Sequence, residues 1–96
     1  MTLVRTPELR VVLLELRAGA RLLEHRTAAR LLIQPLRGSI RLRLGERHVD
    51  LASREVLTLA PGIVHDVEAT DDSSVLLTLA WPPDDAAKAS PAAGPP

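Results

Sequence analysis

The feature that most constrains the fold is a regular alternation of short apolar runs with turn-forming residues. Segments such as Arg37-Gly38-Ser39 and Asp71-Asp72-Ser73 separate the runs. Glycine reaches positive φ, and Asp or Ser hydrogen-bonds its own backbone, so these segments favour turns. A spacing of about 8 to 12 residues between turn signals is typical of a β-sandwich or barrel. Helices are hard to place anywhere.

The alternation predicts eight short antiparallel strands, which fit a single jelly-roll β-barrel. The predicted strands are residues 9–17, 21–24, 29–37, 40–44, 48–51, 56–59, 64–69 and 74–81. The clearest of them places Ile40, Leu42 and Leu44 on one face and Arg41 and Arg43 on the other. This period-2 pattern indicates a strand with one buried and one solvated face.

The composition changes sharply after Trp81. Residues 82–96 contain five Pro and five Ala and almost nothing able to anchor a core. We therefore expect one all-β domain over residues 1–81 and a disordered Pro/Ala-rich tail over residues 82–96.

Composition excludes several classes of function. Trp81 is the only aromatic residue, which argues against a site that stacks nucleic-acid bases. Acidic and basic residues balance at twelve each, with no basic run to follow a phosphate backbone. The chain has no cysteine, which excludes disulfides, thiolate nucleophiles and sulfur ligands for metals. We expect no nucleic-acid partner.

No part of the chain reads as a targeting or membrane segment. The first residues lack the pattern of a secretory signal, and no apolar run approaches the roughly 18 to 20 residues that span a bilayer. We therefore predict a cytoplasmic protein without a membrane partner.

Residues 11–14 and 75–79 are apolar on both faces, and this surplus of apolar surface predicts a homodimer formed near these strands.

Two histidine-bearing segments lie about 40 residues apart. In the first, Gly19, His25 and Gly38 keep the spacing of a motif that runs glycine, five residues, His, one residue, His, then Glu and a final glycine. Thr27 stands in the place of the second histidine, and Leu31 in the place of the glutamate.

The second segment is Leu59-Ala-Pro-Gly-Ile-Val-His65. Its Gly62 and His65 match a proline-glycine turn that leads into a histidine strand, whereas Arg54, Ala60 and Ala69 replace the motif's glycine, proline and asparagine. Together, the segments resemble the two motifs of the cupin superfamily, in particular its small single-domain, RmlC-like members. The resemblance covers roughly half of the chain.

The resemblance implies a cupin barrel in which histidines and a carboxylate converge on Fe, Mn, Ni, Zn or Cu. In this chain it leaves His25 and His65 as candidate metal ligands, and a degenerate site that holds no metal is equally compatible with the sequence. Alternation along the strands places His25 with Thr27 and His65 with Val67, facing inward if the barrel interpretation is right. The predicted cavity is lined by His25, Thr27, Leu31, Ile33 and His65.

Three functions follow from this interpretation. The first is binding of a small molecule in the barrel cavity, beside a degenerate or weak metal site. The second is a metal-dependent enzyme, a dioxygenase or an isomerase, whose two histidines hold the metal while water or substrate completes its shell. The third is a structural dimerisation barrel without ligand. Whether the chain is an enzyme stays open at this point, since the two histidines could also be cavity residues that hydrogen-bond each other, Thr27 or water.

Overall fold

The computed structural model describes residues 1–25 and 27–81, with the side chains of residues 23–25 left undescribed. This part of the chain consists of nine β-strands and their connections, without a helix. The strands are β1 (Thr2–Arg5), β2 (Leu9–Leu16), β3 (Arg21–His25), β4 (Arg30–Arg37), β5 (Ser39–Leu44), β6 (Arg47–Ala52), β7 (Leu57–Leu59), β8 (His65–Ala69) and β9 (Ser73–Ala80). Strands β2 to β9 are the eight predicted strands, with each boundary displaced by at most one residue. The predicted all-β class is confirmed.

Two antiparallel sheets form the barrel. One has five strands in the order β1-β2-β9-β4-β7, and the other has four in the order β3-β8-β5-β6. Neighbouring strands in each sheet run antiparallel. Most neighbours are distant in sequence, as expected for a jelly roll.

Strand β1 was not predicted from the sequence. All four of its residues are exposed, so no burial pattern marks it. It is held by backbone pairing to β2, and the pairing extends to Met1, whose amino group donates to the Leu13 carbonyl oxygen over 2.7 Å. The Leu13 N–H donates back to the Met1 carbonyl over 2.8 Å.

The core lies between the sheets and is aliphatic. Alternate residues of the central strands point into it, which is why Ile40 and Leu42 are fully buried while Arg43 is exposed. Its buried members are Leu31, Ile33, Ile40, Leu42, Leu51, Leu59, Val67 and Val75.

One end of the barrel is closed by hydrogen bonds around the turn between β4 and β5. Gly38 forms this turn with a φ of 83°. A Cβ at Gly38 would overlap the Asp72 carbonyl oxygen and the Ser73 hydroxyl, and it would lie 2.8 Å from the Ser73 Cα. The buried Ser73 hydroxyl accepts the Ser39 N–H over 3.1 Å and lies within hydrogen-bond distance of the Ser39 and Asp71 carbonyl oxygens. We call this region the closed end.

The opposite end, which we call the open end, is formed by two longer connections. They are residues 27–29 between β3 and β4, and residues 60–64 between β7 and β8. One backbone hydrogen bond joins them, from the Gly62 N–H to the Thr27 carbonyl oxygen over 2.9 Å.

The two sheets differ on their outer faces. The four-stranded sheet carries ion pairs, including Arg41 with Asp50 at 2.7 Å and Arg43 with Glu68 at 3.7 Å. His48 on the same sheet is exposed. The five-stranded sheet instead carries half-buried or exposed aliphatic side chains, among them Leu32, which is 38% exposed.

Pro35 lies in β4 beyond the last residue that pairs with β7. We call the side of β4 that faces away from β9 its free side. Pro35 is fully buried, and β7 pairs with β4 only as far as Ile33. Beyond that point the Pro35 carbonyl oxygen accepts the Arg54 N–H over 3.0 Å. Because N and O of one strand residue project to the same side, the missing N–H of Pro35 faces this free side and removes no hydrogen bond to β9.

The predicted disordered tail and the predicted cytoplasmic location are not tested by the described strands. Residues 82–96, predicted as a disordered tail, lie outside the described residues. Among the described residues, no helix is long and apolar enough to cross a membrane. The cytoplasmic location stays a prediction.

Candidate functional site

A small cavity lies between the two sheets at the open end. Its volume is about 40 Å³. The lining is aliphatic apart from one histidine and one threonine: Leu22, Thr27, Leu31, Ile33, His65, Val67, Leu77 and Leu79. The structure thus brings together four of the five residues predicted to line a cavity, namely Thr27, Leu31, Ile33 and His65.

His65 is the first residue of β8 and is only 2% exposed. The turn before it contains Gly62, which has a φ of 85°. The Nδ1 atom of His65 lies 3.0 Å from the Ile63 carbonyl oxygen. Since a carbonyl oxygen only accepts, this contact assigns the proton of a neutral ring to Nδ1 and the lone pair to Nε2. The turn therefore fixes both the orientation and the tautomer of the imidazole.

Thr27 connects the two segments of the open end. Its hydroxyl oxygen accepts the Ala29 N–H over 3.1 Å, and its carbonyl oxygen accepts the Gly62 N–H. The side chain is half-buried and also lines the cavity. Thr27 thus lines the cavity and holds the connection before β4 in place.

The wall opposite His65 is apolar because β4 alternates. Leu31 and Ile33 point inward and are 4% and 0% exposed, while Leu32 between them faces outward. Leu31 lies opposite Leu79 of β9, and Ile33 lies opposite Leu77. The position that holds a carboxylate in the cupin motif is therefore part of a continuous aliphatic surface.

His25, the fifth predicted lining residue, is placed only through its backbone. It ends β3 and lies opposite His65 in the pairing of β3 with β8, after an irregularity that follows Leu22. Its side chain lies outside the described residues, so its predicted roles in the cavity and as a metal ligand stay predictions.

The described side chains do not fit a resident divalent cation. The cavity offers one imidazole and one hydroxyl, and the hydroxyl already accepts a backbone hydrogen bond. Leu31 adds an apolar wall where a dication needs charge. In the part of the chain that the structure describes, no group of three or more His, Cys, Asp or Glu residues could hold a metal ion. Catalytic zinc sites use three protein ligands.

Sequence reasoning missed two residues at the open end, Arg10 and Trp81. Arg10 lies in β2 opposite Leu79, and its guanidinium carbon is 5.9 Å from the centre of the Trp81 ring. The only signal was an arginine inside an apolar run. Because that run is apolar on both faces, alternation could not say which way Arg10 points.

The sequence matches the family model described as the AraC-like ligand binding domain over residues 7–92. The chain belongs to this family. The match covers almost the whole chain and includes every residue of the cavity. No curated protein matches the chain.

Solved structures confirm that this AraC-like domain has a cupin fold. A cupin superfamily protein from Desulfitobacterium hafniense superimposes with a TM-score of 0.82 at 17% identity, covering 85% of this chain and 75% of that one. KdgF from Halomonas sp. gives 0.78 at 19%, covering 90% and 82%. The Cnp3 cupin domain from Schizosaccharomyces pombe gives 0.81 at 14%, covering 94% and 69%. At these identities the likeness establishes the fold alone.

Proposed function

We propose that this cupin domain binds a small, largely apolar organic molecule at the open end of its barrel. The observation that carries the proposal is a largely aliphatic cavity whose lining includes two polar residues, His65 and Thr27. Apolar walls with a few convergent polar groups are the usual composition of small-molecule sites, because the walls supply affinity and the polar groups orient the ligand. Membership of a ligand-binding family agrees with this assignment.

The size of the cavity sets how such a ligand enters. About 40 Å³ exceeds the volume that one water molecule needs, yet pockets for drug-sized ligands are roughly 300 to 1,000 Å³. The closed cavity therefore takes only a methyl-sized part of a molecule. A larger ligand requires residues 27–29 to separate from residues 60–64, which breaks the hydrogen bond between Gly62 and Thr27.

A substitution that fills the cavity tests the proposal. Leu31→Phe adds volume inside the cavity, whereas Leu36→Phe changes an outward residue of the same strand that is 50% exposed. In a thermal-shift screen of metabolites, we expect a ligand that raises the Tm of the wild type and of the Leu36→Phe variant but not that of the Leu31→Phe variant. A ligand that stabilises all three proteins equally binds elsewhere and contradicts the proposal.

We further propose that the protein is a homodimer through the outer face of the five-stranded sheet. Val11 and Leu13 of β2, Leu76 of β9 and Leu32 of β4 share this face, which crosses three neighbouring strands. Strand β2 is not fully buried on either side, so part of its apolar surface lacks cover within one chain. A second copy covers this surface with an identical one, as two-fold symmetry requires.

Two charge substitutions distinguish this interface from the other outer face. Leu32→Asp places a carboxylate in the apolar face, and Arg43→Asp changes the charged face of the four-stranded sheet. By light scattering after size exclusion, we expect the wild type and the Arg43→Asp variant to have the mass of a dimer and the Leu32→Asp variant that of a monomer. A monomeric wild type contradicts the dimer, and a dimeric Leu32→Asp variant contradicts this choice of interface.

A further inference from the structure

Arg10 points to the same side of its sheet as the residues of the cavity wall. Its Cα partner in β9 is Leu79, and the partner of Leu79 in β4 is Leu31. Residues directly opposite each other in antiparallel strands project from the same face of a sheet. Since Leu31 and Leu79 both line the cavity, the Arg10 side chain leaves β2 on the inner face at the open end.

Arg10 differs from the four arginines that pair with a carboxylate. Arg21, Arg37, Arg41 and Arg43 each lie within 4.0 Å of a carboxylate oxygen on the outside of the barrel. Among the described residues, no carboxylate pairs with Arg10, and its Nε atom is buried without a hydrogen-bond partner. A partly buried cation without an acceptor is unfavourable, and an anion relieves it.

Trp81 limits where the guanidinium lies. The backbone N–H of Trp81 donates to the Glu8 carbonyl oxygen over 2.9 Å. This bond fixes the end of β9 against the start of β2. The ring lies 5.9 Å from the Arg10 guanidinium carbon, within the range of a cation–π contact. The contact holds a charged, planar fork beside an apolar cavity, although it satisfies none of the fork's hydrogen bonds.

We infer that the ligand of this domain is a small monocarboxylate with a short apolar tail. The Arg10 guanidinium binds the carboxylate through paired, charge-assisted hydrogen bonds, and the tail enters the cavity between Leu31 and Leu79. Arg10 does not itself line the cavity, but Leu79, its partner in β9, does, so the proposed ligand extends from β2 across Leu79 into the cavity. The inference rests on the proposed function and adds a chemical class to it.

Butyrate and its neutral analogue butyramide are suitable probes for the isotope-labelled full chain. Two reporters separate the two parts of the site in an NMR titration at low ionic strength. The indole N–H of Trp81, the only tryptophan, reports on Arg10, and the methyl groups of Leu79 report on the cavity. The variants are Arg10→Gln and, as a control, Arg17→Gln, which changes an exposed arginine at the other end of β2.

We expect butyrate to shift both reporters and Arg10→Gln to weaken its binding about tenfold or more, while Arg17→Gln leaves it unchanged. Butyramide should bind the wild type more weakly than butyrate does and should not distinguish Arg10→Gln from the wild type. Equal binding of both probes, or equal weakening by both variants, overturns the carboxylate assignment and leaves the cavity proposal standing.

The remaining outcomes are equally decisive. If butyrate shifts Trp81 in an Arg10-dependent way but never shifts Leu79, the proposed cavity fails and only an anion site at Arg10 survives. If butyrate shifts neither reporter at high millimolar concentration, the carboxylate inference is wrong. Circular dichroism shows whether Arg10→Gln is folded. A second variant, Arg10→Lys, keeps the positive charge but lacks the paired N–H donors of the guanidinium. Its affinity for butyrate should lie between those of the wild type and Arg10→Gln.

Discussion

The two ends of the barrel use their polar groups in different ways. At the closed end, Ser39 and Ser73 are joined by short hydrogen bonds to each other and to the neighbouring turn. At the open end, His65 and Thr27 each bond the nearby backbone and also line an aliphatic cavity, and the Arg10 Nε atom is buried without a partner. The proposed ligand site thus lies at the end opposite this hydrogen-bonded turn.

Each end combines short and longer connections, and one connection at each end shows how their lengths differ. Gly38 alone joins β4 to β5 at the closed end, so the strands turn with almost no free chain. Residues 60–64 form a longer connection at the open end. A short, hydrogen-bonded turn resists opening, whereas a longer connection held by few bonds opens at lower cost. Substitutions in the hydrogen-bonded turn at the closed end should therefore lower stability.

The largest expected effect is that of Gly38→Ala. A methyl group there meets the Asp72 carbonyl and Ser73, and the backbone has a positive φ. We expect a loss of about 3 kcal/mol or more in the free energy of unfolding. The control is Gly45→Ala in the turn between β5 and β6, where φ is 67° and no atom lies within 4 Å of the added Cβ. That control should cost about 1 kcal/mol. Equal losses in urea denaturation would show that contacts at the closed end contribute nothing.

The second-largest effect is expected for Leu31→Glu at the open end. Leu31→Glu places a carboxyl group at the position where the cupin motif carries its glutamate, and burying it in the aliphatic wall should cost about 2 to 4 kcal/mol. If His25 and His65 converge on the cavity, Zn²⁺ or Ni²⁺ should restore much of the lost stability. The metal-dependent rise in Tm should be absent from the wild type and from the control Leu31→Gln. Equal responses of the two variants would argue against a shared site.

A moderate effect is expected for Ser73→Ala. The variant removes a buried hydroxyl that bonds the Ser39 backbone, and it leaves the Ser39 N–H without its partner. The expected loss is about 1 to 3 kcal/mol by chemical denaturation. Ser74→Ala, in the same strand, removes only contacts with the exposed Glu15 and should change stability by less than about 0.5 kcal/mol. A neutral Ser73→Ala would mean that the closed end is not held by its hydrogen bonds.

The smallest effect concerns the outer surface near the closed end. The hydrogen bond from Arg41 holds the pKa of the Asp50 carboxyl below its ordinary value. A carboxyl whose pKa is lowered by folding adds stability above its unfolded pKa and loses that contribution as the pH falls through its folded pKa. Arg41→Gln should raise the pKa of Asp50 in a carbon-detected NMR titration and slightly flatten the loss of stability in acid. Arg47→Gln, which changes an exposed arginine in the same strand as Asp50, should leave the Asp50 titration nearly unchanged.

Much of the fold and part of the site were predictable from the sequence because both follow from period-2 alternation and turn chemistry. Gly38 and Gly62 mark turns, and alternation places Leu31, Ile33 and His65 inside. Alternation gives no answer for β2, which is apolar on both faces, so the inward direction of Arg10 depends on its register against β9. The fully exposed β1 carries no burial pattern because its place depends on backbone pairing alone. The size of the cavity depends on how Leu77 and Leu79 pack, which no local pattern encodes.

Pro35 has a consequence for self-association. The free side of β4 beyond Ile33 presents a residue without an N–H, and the carbonyl oxygen of that residue is already bonded to Arg54. Another chain cannot continue the ladder beside this residue, so strand addition next to β4 is blocked at this point. In this sheet, the edges that remain for strand pairing are those of β1 and β7.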